Sequence, residues 1–187
     1  MCHIPIWTFL LPLVVCLPLF IQESKYPASS EVLPVGLKWI DLAQFDWDDY
    51  VLSGISLNCD RESVDQKYNC AYKFHWDDPN YDNSMDCSYS FPWDGVTQTQ
   101  GDNNSYPTGY QSCGDSWQFK FEVVRYLWDF NMTISKLQDD PSKFGRYSAW
   151  FFAYPNITLE RMSQLDFRSL VYSTIDPVKA KIQGLAM

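Results

Sequence analysis

The chain has 187 residues, a formal net charge of −9 and 17% aromatic residues. The acidic balance argues against nucleic acid and anionic lipid as partners, since both select basic surfaces. The length suits one domain, and the aromatic side chains supply much of the apolar area for its core.

The chain starts with an apolar segment, from Ile4 to Ile21, that contains no charged residue. Its position and its prolines favour a secretory signal peptide, which we assign to residues 1–22. The alternative is a membrane anchor, because about 18 apolar residues can span a bilayer. After cleavage of the signal peptide, we expect a secreted protein without stable membrane insertion.

Residues 23–35 contain Pro27 and Pro34 and show no periodicity, so they predict an extended lead-in. Residues 36–175 are assigned to one folded domain, and residues 176–187 to a C-terminal tail. Within the domain, residues 36–45 predict a first strand or strand pair. The acidic segment that follows predicts a loop, and Trp47 in this loop is expected to be exposed as a candidate partner contact.

Three segments then alternate between apolar and polar residues, as strands with one buried face do. In residues 51–59 the predicted inward set is Val51, Ile55, Leu57 and Cys59. Residues 68–76 place aromatic residues or cysteine at even positions, and residues 85–93 place mostly such residues at odd positions. The cysteines of all three segments fall on the predicted inward face. The first two segments predict a hairpin with Cys59 and Cys70 near its loop.

A polar loop is predicted for residues 94–109, followed by alternation in residues 117–123. The apolar phase then slips by one residue, which predicts a bulge or bend. After the slip the predicted inward set is Val124, Tyr126, Trp128, Phe130, Met132 and Ile134. Residues 147–154 predict another strand, and helical spacing predicts a short C-terminal helix through Leu159, Met162, Leu165 and Leu170. About seven or eight short strands predict an all-β, single-domain antiparallel sandwich or barrel.

Cysteines and glycosylation acceptors agree with export. Outside the N-terminal segment the cysteines are even in number, as a disulfide framework requires, and they allow three pairings: they are Cys59, Cys70, Cys87 and Cys113. Three Asn-x-Ser/Thr acceptors predict N-glycosylation at Asn103, Asn131 and Asn156. After the phase slip, Asn131 and Thr133 are predicted to face outward, where a glycan must lie.

Catalytic and metal sites find little support. His75 is the only histidine after the predicted signal peptide, and no nucleophile-elbow sequence accompanies it. The acidic turn that starts at Asp77 begins like a calcium loop but lacks the required glycine and final glutamate. Carboxylates that could serve a glycosidase are numerous, yet nothing marks one pair: they are Asp46, Asp48, Asp49, Asp77, Asp78 and Asp94. We therefore expect no enzyme, no metal and no cofactor.

Tryptophans could form a platform for a sugar or a protein partner. Trp76, Trp93 and Trp128 lie on predicted inward faces, so we expect them to be core residues.

Several motifs resemble a fungal family. Tyr68-Asn-Cys-Ala-Tyr-Lys-Phe is similar to the C-x-Y-x-F strand of the AA1-like secreted proteins, which take their name from the major Alternaria allergen. The segment from Asp86-Cys-Ser to Tyr110-Gln-Ser-Cys-Gly-Asp resembles that family's paired cysteines. Trp117-Gln-Phe-Lys-Phe resembles the next strand. The resemblance covers about residues 37–137, and the last fifty residues carry no matching motif.

The resemblance implies a compact β-barrel or sandwich exported by a fungus, with no established catalytic activity. It implies a Cys87–Cys113 bridge, which leaves Cys59–Cys70, and hairpin geometry independently favours the latter. The family's dimer-forming cysteine has no counterpart here, so a covalent dimer is not expected.

Two functions follow as hypotheses. The first is a non-enzymatic effector-like or allergen-like protein that binds a host protein or a small ligand. The second is a carbohydrate-binding module or small glycoside hydrolase. Exposed coplanar tryptophans or two carboxylates across a cleft would favour the second, and buried tryptophans with a glycan-decorated surface would favour the first.

Overall fold

A computed structural model of the protein describes residues 41–166 and 168–187. The predicted signal peptide, the lead-in and most of the predicted first strand lie outside these residues. The described part of that strand is instead a 3₁₀ turn, Leu42–Gln44, in which the Asp41 carboxylate accepts a hydrogen bond from the Ala43 backbone. In the described ranges, no helix has both the length and the apolar character needed to cross a membrane.

Antiparallel strands dominate the described chain. They are β1 (Tyr50–Asp60), β2 (Tyr68–Asp78), β3 (Asn83–Trp93), β4 (Gln111–Ser112), β5 (Trp117–Tyr126), β6 (Asp129–Asp139), β7 (Ser148–Ala153), β8 (Asn156–Thr158), β9 (Glu160–Asp166), β10 (Ser169–Ser173), β11 (Val178–Ala180) and β12 (Ile182–Ala186). One short helix, α1 (Pro141–Phe144), connects β6 to β7.

The strands form a sandwich of two sheets. Sheet 1 has the order β3-β2-β1-β10-β9, and β11 also pairs with β1. Sheet 2 has the order β12-β7-β6-β5-β4, and β8 also pairs with β6. The predicted all-β antiparallel sandwich is therefore confirmed.

The core lies between the sheets and is largely aromatic. Tyr72 of β2 contacts Phe121 of β5 and Phe130 of β6, with ring centroids 4.3 and 5.1 Å apart. Phe74 meets Phe119 edge to face at 5.2 Å. Burying one such ring contributes about 1.5–3 kcal/mol, so these cross-sheet contacts are a main source of stability. The even-position face predicted for β2 is the buried face.

A bulge in β1 corrects one predicted face. Ile55, Leu57 and Cys59 are buried as predicted, but Leu52 is buried in place of Val51. The pairing of β1 with β2 shifts between Ser53 and Ser56, and Gly54 in this bulge has φ +59°. Because the bulge adds a residue, the inward set changes parity there.

The predicted phase slip after Val123 coincides with a bulge and a hairpin turn. The register of β5 against β6 shifts between Val123 and Tyr126, and the chain then reverses at residues 127–128. Phe130 is buried as predicted, whereas Val124 and Tyr126 are exposed. Those two inward predictions are wrong because the residues lie at the end of β5, beyond the shift.

The C-terminal predictions are also corrected. In place of a helix near Leu159 and Met162, the chain forms β8, β9 and β10. Leu159 is buried and Met162 is exposed. In an extended chain, residues three positions apart point to opposite faces, so this difference in burial is expected. Residues 176–187, predicted as a tail, contain β11 in sheet 1 and β12 in sheet 2.

The two disulfides have the predicted pairing. Cys59 and Cys70 lie directly opposite each other on β1 and β2, with Cα atoms 3.9 Å apart. Cys87 of β3 bonds to Cys113, which follows β4, so this bridge joins sheet 1 to sheet 2.

Candidate functional site

One end of the sandwich gathers three connections, which we call the loop end. They are residues 61–67 between β1 and β2, residues 94–104 after β3, and residues 124–128, which comprise the end of β5 beyond residue 123 and the turn to β6. Lys67 Nζ donates to the Asp102 carbonyl at 2.7 Å, and the Leu127 amide donates to Gln98 Oε1 at 3.1 Å. These bonds join the middle connection to each of the others.

Aromatic packing fixes the base of the loop end. Tyr68 and Trp93 lie 5.8 Å apart, and the Arg61 guanidinium lies 4.3 Å from the centre of the Tyr68 ring. Gly95 has φ +89°, and a Cβ there would lie 2.9 Å from Tyr68 Cε2. Only glycine combines this backbone angle with such a close approach to the ring.

Residues 94–104 are held by their own hydrogen bonds. The Asp94 carboxylate accepts bonds from the Val96 amide and from the amide and hydroxyl of Thr97, at 2.6–2.9 Å. Partial burial opposes ionisation, but these bonds prevail and hold the pKa of Asp94 below its usual value. The Thr97 carbonyl in turn accepts bonds from Trp93 Nε1 and Asn104 Nδ2. The loop is thus ordered before any partner binds.

The loop end exposes large apolar side chains. Val64 is 57% exposed, Val96 79%, Val124 60% and Tyr126 41%. Gln98 connects two of these regions, since its Nε2 donates to the Val96 carbonyl while its Oε1 accepts from Leu127. In the connection between β1 and β2, the Arg61 guanidinium donates a hydrogen bond to the Val64 carbonyl and lies over the Tyr68 ring.

Two parallel rings support the exposed Tyr126. Tyr126 stacks on Trp128 at 4.9 Å with a 7° interplanar angle, and Trp128 stacks on Tyr172 of β10 at 4.6 Å and 3°. The Trp128 ring is therefore engaged by two tyrosines and is half-buried. The outer face of Tyr126 is the part of this stack that can meet a partner.

Trp47 is not an exposed contact, which corrects the prediction. It is half-buried, and its ring meets Phe151 at 4.7 Å and stacks on Phe144 of α1 at 6.4 Å. Trp76 and Trp93 are buried as predicted, and Trp128 is half-buried against the core.

Two predicted glycosylation acceptors lie side by side. Asn131 of β6 and Asn156 of β8 are direct cross-strand partners in sheet 2. They border a groove of about 390 Å³ whose other lining residues include Lys120, Glu122 and Tyr154. Asn103 lies apart from them, exposed on the loop end.

His75 lacks the geometry of a catalytic base. Its Nδ1 lies 2.7 Å from Asp86 Oδ1, and its Nε2 lies 3.1 Å from Asp77 Oδ1. Because both ring nitrogens face carboxylates, neither is directed at a nucleophile. The hydrogen bond to Asp86 raises the pKa of His75, partial burial opposes this, and Asp77 adds to it.

Three of the six candidate acidic residues bond to other groups. Asp78 is buried in an ion pair with Lys136, and Asp77 faces His75. Asp94 accepts a hydrogen bond from the Thr97 hydroxyl within residues 94–104. Within the ranges described, no group of three histidine, cysteine, aspartate or glutamate residues is placed to hold a metal ion.

Lys136 was not predicted as a site residue. It follows Ile134 and Ser135 on β6, and all three side chains are buried. A sequence offers little sign of a buried lysine, because this residue type is almost always exposed.

No protein-family model, no curated protein and no solved structure matches this chain.

Proposed function

We propose that the chain is a secreted, non-enzymatic binding protein of the AA1-like kind, which recognises a host protein through the loop end. The observation that carries this proposal is the exposure of Val64, Val96 and Tyr126 on connections that the fold ties together. Exposed apolar side chains on ordered loops are typical of interaction surfaces.

The order of the loop end favours binding. A loop that is already held by hydrogen bonds loses little conformational entropy on association, so more of the contact energy appears as affinity. Asp94 and Thr97 supply this order for Val96, and the ring stack supplies it for Tyr126. Aromatic anchors of this kind are enriched among residues that dominate interface energy.

A protein partner fits better than a small ligand. Small ligands bind in concave pockets that bury most of their surface. The groove beside Asn131 and Asn156 is concave, but two predicted glycosylation acceptors border it, whereas one, Asn103, lies on the loop end. The loop end instead presents protruding side chains, which suit a partner with a complementary surface.

The carbohydrate alternative has weaker support. A sugar platform needs an open aromatic face, and Trp128 already stacks on Tyr126 and Tyr172. Within this stack, Tyr126 is the exposed ring. A glycosidase would need two carboxylates across a cleft, whereas Asp77, Asp78 and Asp94 bond to different groups.

The test compares two tyrosines at opposite ends of the sandwich. Tyr126 follows the bulge of β5 at the loop end, and Tyr147 precedes β7 at the other end, where it is 55% exposed. Secreted wild type, Tyr126→Ala and Tyr147→Ala would be titrated against arrays of purified host extracellular proteins and of glycans. We expect saturable binding to a protein that weakens about tenfold or more in Tyr126→Ala and is unchanged in Tyr147→Ala.

Two outcomes would overturn the proposal. Equal binding by the two variants would remove the loop end from recognition. Binding confined to the glycan array and lost in Tyr126→Ala would establish the carbohydrate alternative. Val96→Asp changes a different part of the loop end. Weaker binding in both Val96→Asp and Tyr126→Ala would show that the partner contacts the whole surface and not Tyr126 alone.

A further inference from the structure

A lysine, a carboxylate and a carboxamide converge where the two sheets meet. Lys136 of β6 directs Nζ to Asp78 Oδ2 at 2.5 Å and to Asn83 Oδ1 at 2.7 Å. Asp78 and Asn83 are direct cross-strand partners on β2 and β3, so the strand register itself places them together.

The lysine and the carboxylate are buried beside aromatic rings. Lys136 is 2% exposed and Asp78 is 1% exposed. The ammonium lies 4.4 Å from the Trp117 ring centre and 5.1 Å from that of Tyr81. Burial lowers the pKa of Lys136, although the adjacent Asp78 opposes this shift. A buried ion pair in such a site can relax to its neutral form by moving one proton.

We propose that Lys136 and Asn83 form an intramolecular isopeptide bond, with Asp78 as the proton carrier. The bond would join Nζ of Lys136 to Cγ of Asn83 and release ammonia. A carbonyl carbon lies about 1.2 Å from its oxygen, so Nζ is already within about 4 Å of Cγ. A small rotation of the Asn83 amide brings the two atoms to reacting distance.

The reaction needs no oxidant, reductant or co-substrate. The Lys136 ammonium first gives one proton to the Asp78 carboxylate and becomes a neutral amine. The amine attacks Cγ of Asn83 while Asp78 returns the proton to Oδ1. Asp78 then takes a proton from the attacking nitrogen and one passes to Nδ2, so that the Cγ–Nδ2 bond breaks and ammonia leaves. The proton on Oδ1 then passes through Asp78 to the departing ammonia, which leaves as ammonium. The amide carbonyl re-forms, and Asp78 ends as it began, ionised.

Asn83 is the electrophile and Asp78 is the proton carrier for two reasons. A neutral carboxamide accepts an amine more readily than a carboxylate anion, whose charge repels the attacking lone pair. Asp78 is also held by Asn80, whose backbone amide and Nδ2 both donate to Oδ1 at 3.0 Å. Oδ2 is thereby left facing Lys136. Asn83 itself is exposed, so ammonia can leave to solvent.

Mass spectrometry of the full secreted chain tests the bond. The protein would be reduced, deglycosylated and digested with trypsin. We expect the peptide that contains Asn83 to be joined to the peptide that contains Lys136, with no cleavage after Lys136. The joined mass should be lower by one ammonia than the sum of the parts. Separate peptides with cleavage after Lys136 would show a plain ion pair and overturn the proposal. A joined species that has lost water would place the bond on Asp78 and overturn the assignment of Asn83.

Variants provide matched controls. Asn83→Ala should abolish the joined species, and Asn69→Ala, at an exposed asparagine on β2, should keep it. Asp78→Asn should slow or abolish joining because the proton carrier is lost. Since Asp78→Asn also changes a buried pair, near-ultraviolet circular dichroism would establish that this variant is folded. A joined species in Asn83→Ala would contradict the proposal.

Discussion

Asn131 and Asn156 lie directly opposite each other on β6 and β8. Side chains of such a pair start about 4.5–5.5 Å apart, which leaves little room for two glycans. Asn156 is exposed on a short strand, whereas Asn131 is half-buried in the longer β6. We expect the folded, secreted protein to carry one glycan at this pair, mainly on Asn156, together with one on Asn103.

Intact-mass analysis combined with glycopeptide mapping measures this occupancy. Asn156→Gln should raise occupancy at Asn131, while Asn103→Gln should leave the pair unchanged. Full occupancy of both asparagines on single molecules would contradict the expectation.

The disulfides should differ in what they contribute to stability. Cys87 and Cys113 are 26 residues apart and Cys59 and Cys70 are 11 apart, so the first bridge restricts a larger loop in the unfolded chain. Replacing either pair by serine should lower the free energy of unfolding by about 3 kcal/mol. The loss should be larger for Cys87 and Cys113, and the two losses should differ by about 0.8 kcal/mol. Urea denaturation of both double variants measures the difference. Unchanged stability after loss of Cys87–Cys113 would mean that this bridge adds nothing to the joining of the sheets.

His75 should make stability depend on pH. The hydrogen bond to Asp86, together with Asp77, raises its folded pKa above the unfolded value of about 6.5. Its contribution is therefore fully present below the unfolded pKa and is lost as pH rises through the folded pKa. The difference in unfolding free energy between wild type and His75→Gln should be largest near pH 6 and should shrink towards zero by about pH 9. If this free-energy difference stayed constant from about pH 6 to pH 9, Asp77 and Asp86 would not stabilise the protonated form of His75.

Gly95 should tolerate no side chain. Alanine there would combine φ +89° with a contact of 2.9 Å to Tyr68. Because both the backbone and the ring must yield, we expect Gly95→Ala to cost about 1–3 kcal/mol and to weaken partner binding. Gly109→Ala is the matched control, since its Cβ would meet nothing within 4 Å, and it should be nearly neutral. Thermal unfolding measures the stability of both variants. Equal stability would show that the fold does not require glycine at position 95.

The alternating segments allowed β1, β2 and β3 of sheet 1 to be predicted. Tyr72, Phe74 and Phe91 were placed on the buried face because period-2 alternation is a direct consequence of strand geometry. The reversal at residues 127–128 was missed because Leu127 and Trp128 carry no turn chemistry; the turn is stabilised by Leu127 bonding to Gln98 and to the Tyr72 hydroxyl.

The candidate site was predictable in part. The glycosylation acceptors follow from a short pattern, but the pairing of Asn131 with Asn156 depends on which strands are neighbours. Exposure of Trp47 was expected from its acidic flanks, whereas Phe144 and Phe151 cover it from distant parts of the chain. Lys136 enters the core because Asp78 and Asn83 meet it there. Long-range contacts such as these leave little trace in local sequence.

The central strand of sheet 1 has one partner near in sequence and two that are remote. β2 follows β1 through a short loop, but Ser56 pairs with Ser173 and Val51 pairs with Lys179. Closing such distant pairs costs chain entropy before their contacts repay it, so sandwiches built this way fold slowly. The nascent chain should therefore remain open for long enough that an oligosaccharyltransferase reaches the exposed Asn156 before β8 pairs with β6. The timing of folding would then influence the glycan pattern that the finished protein carries.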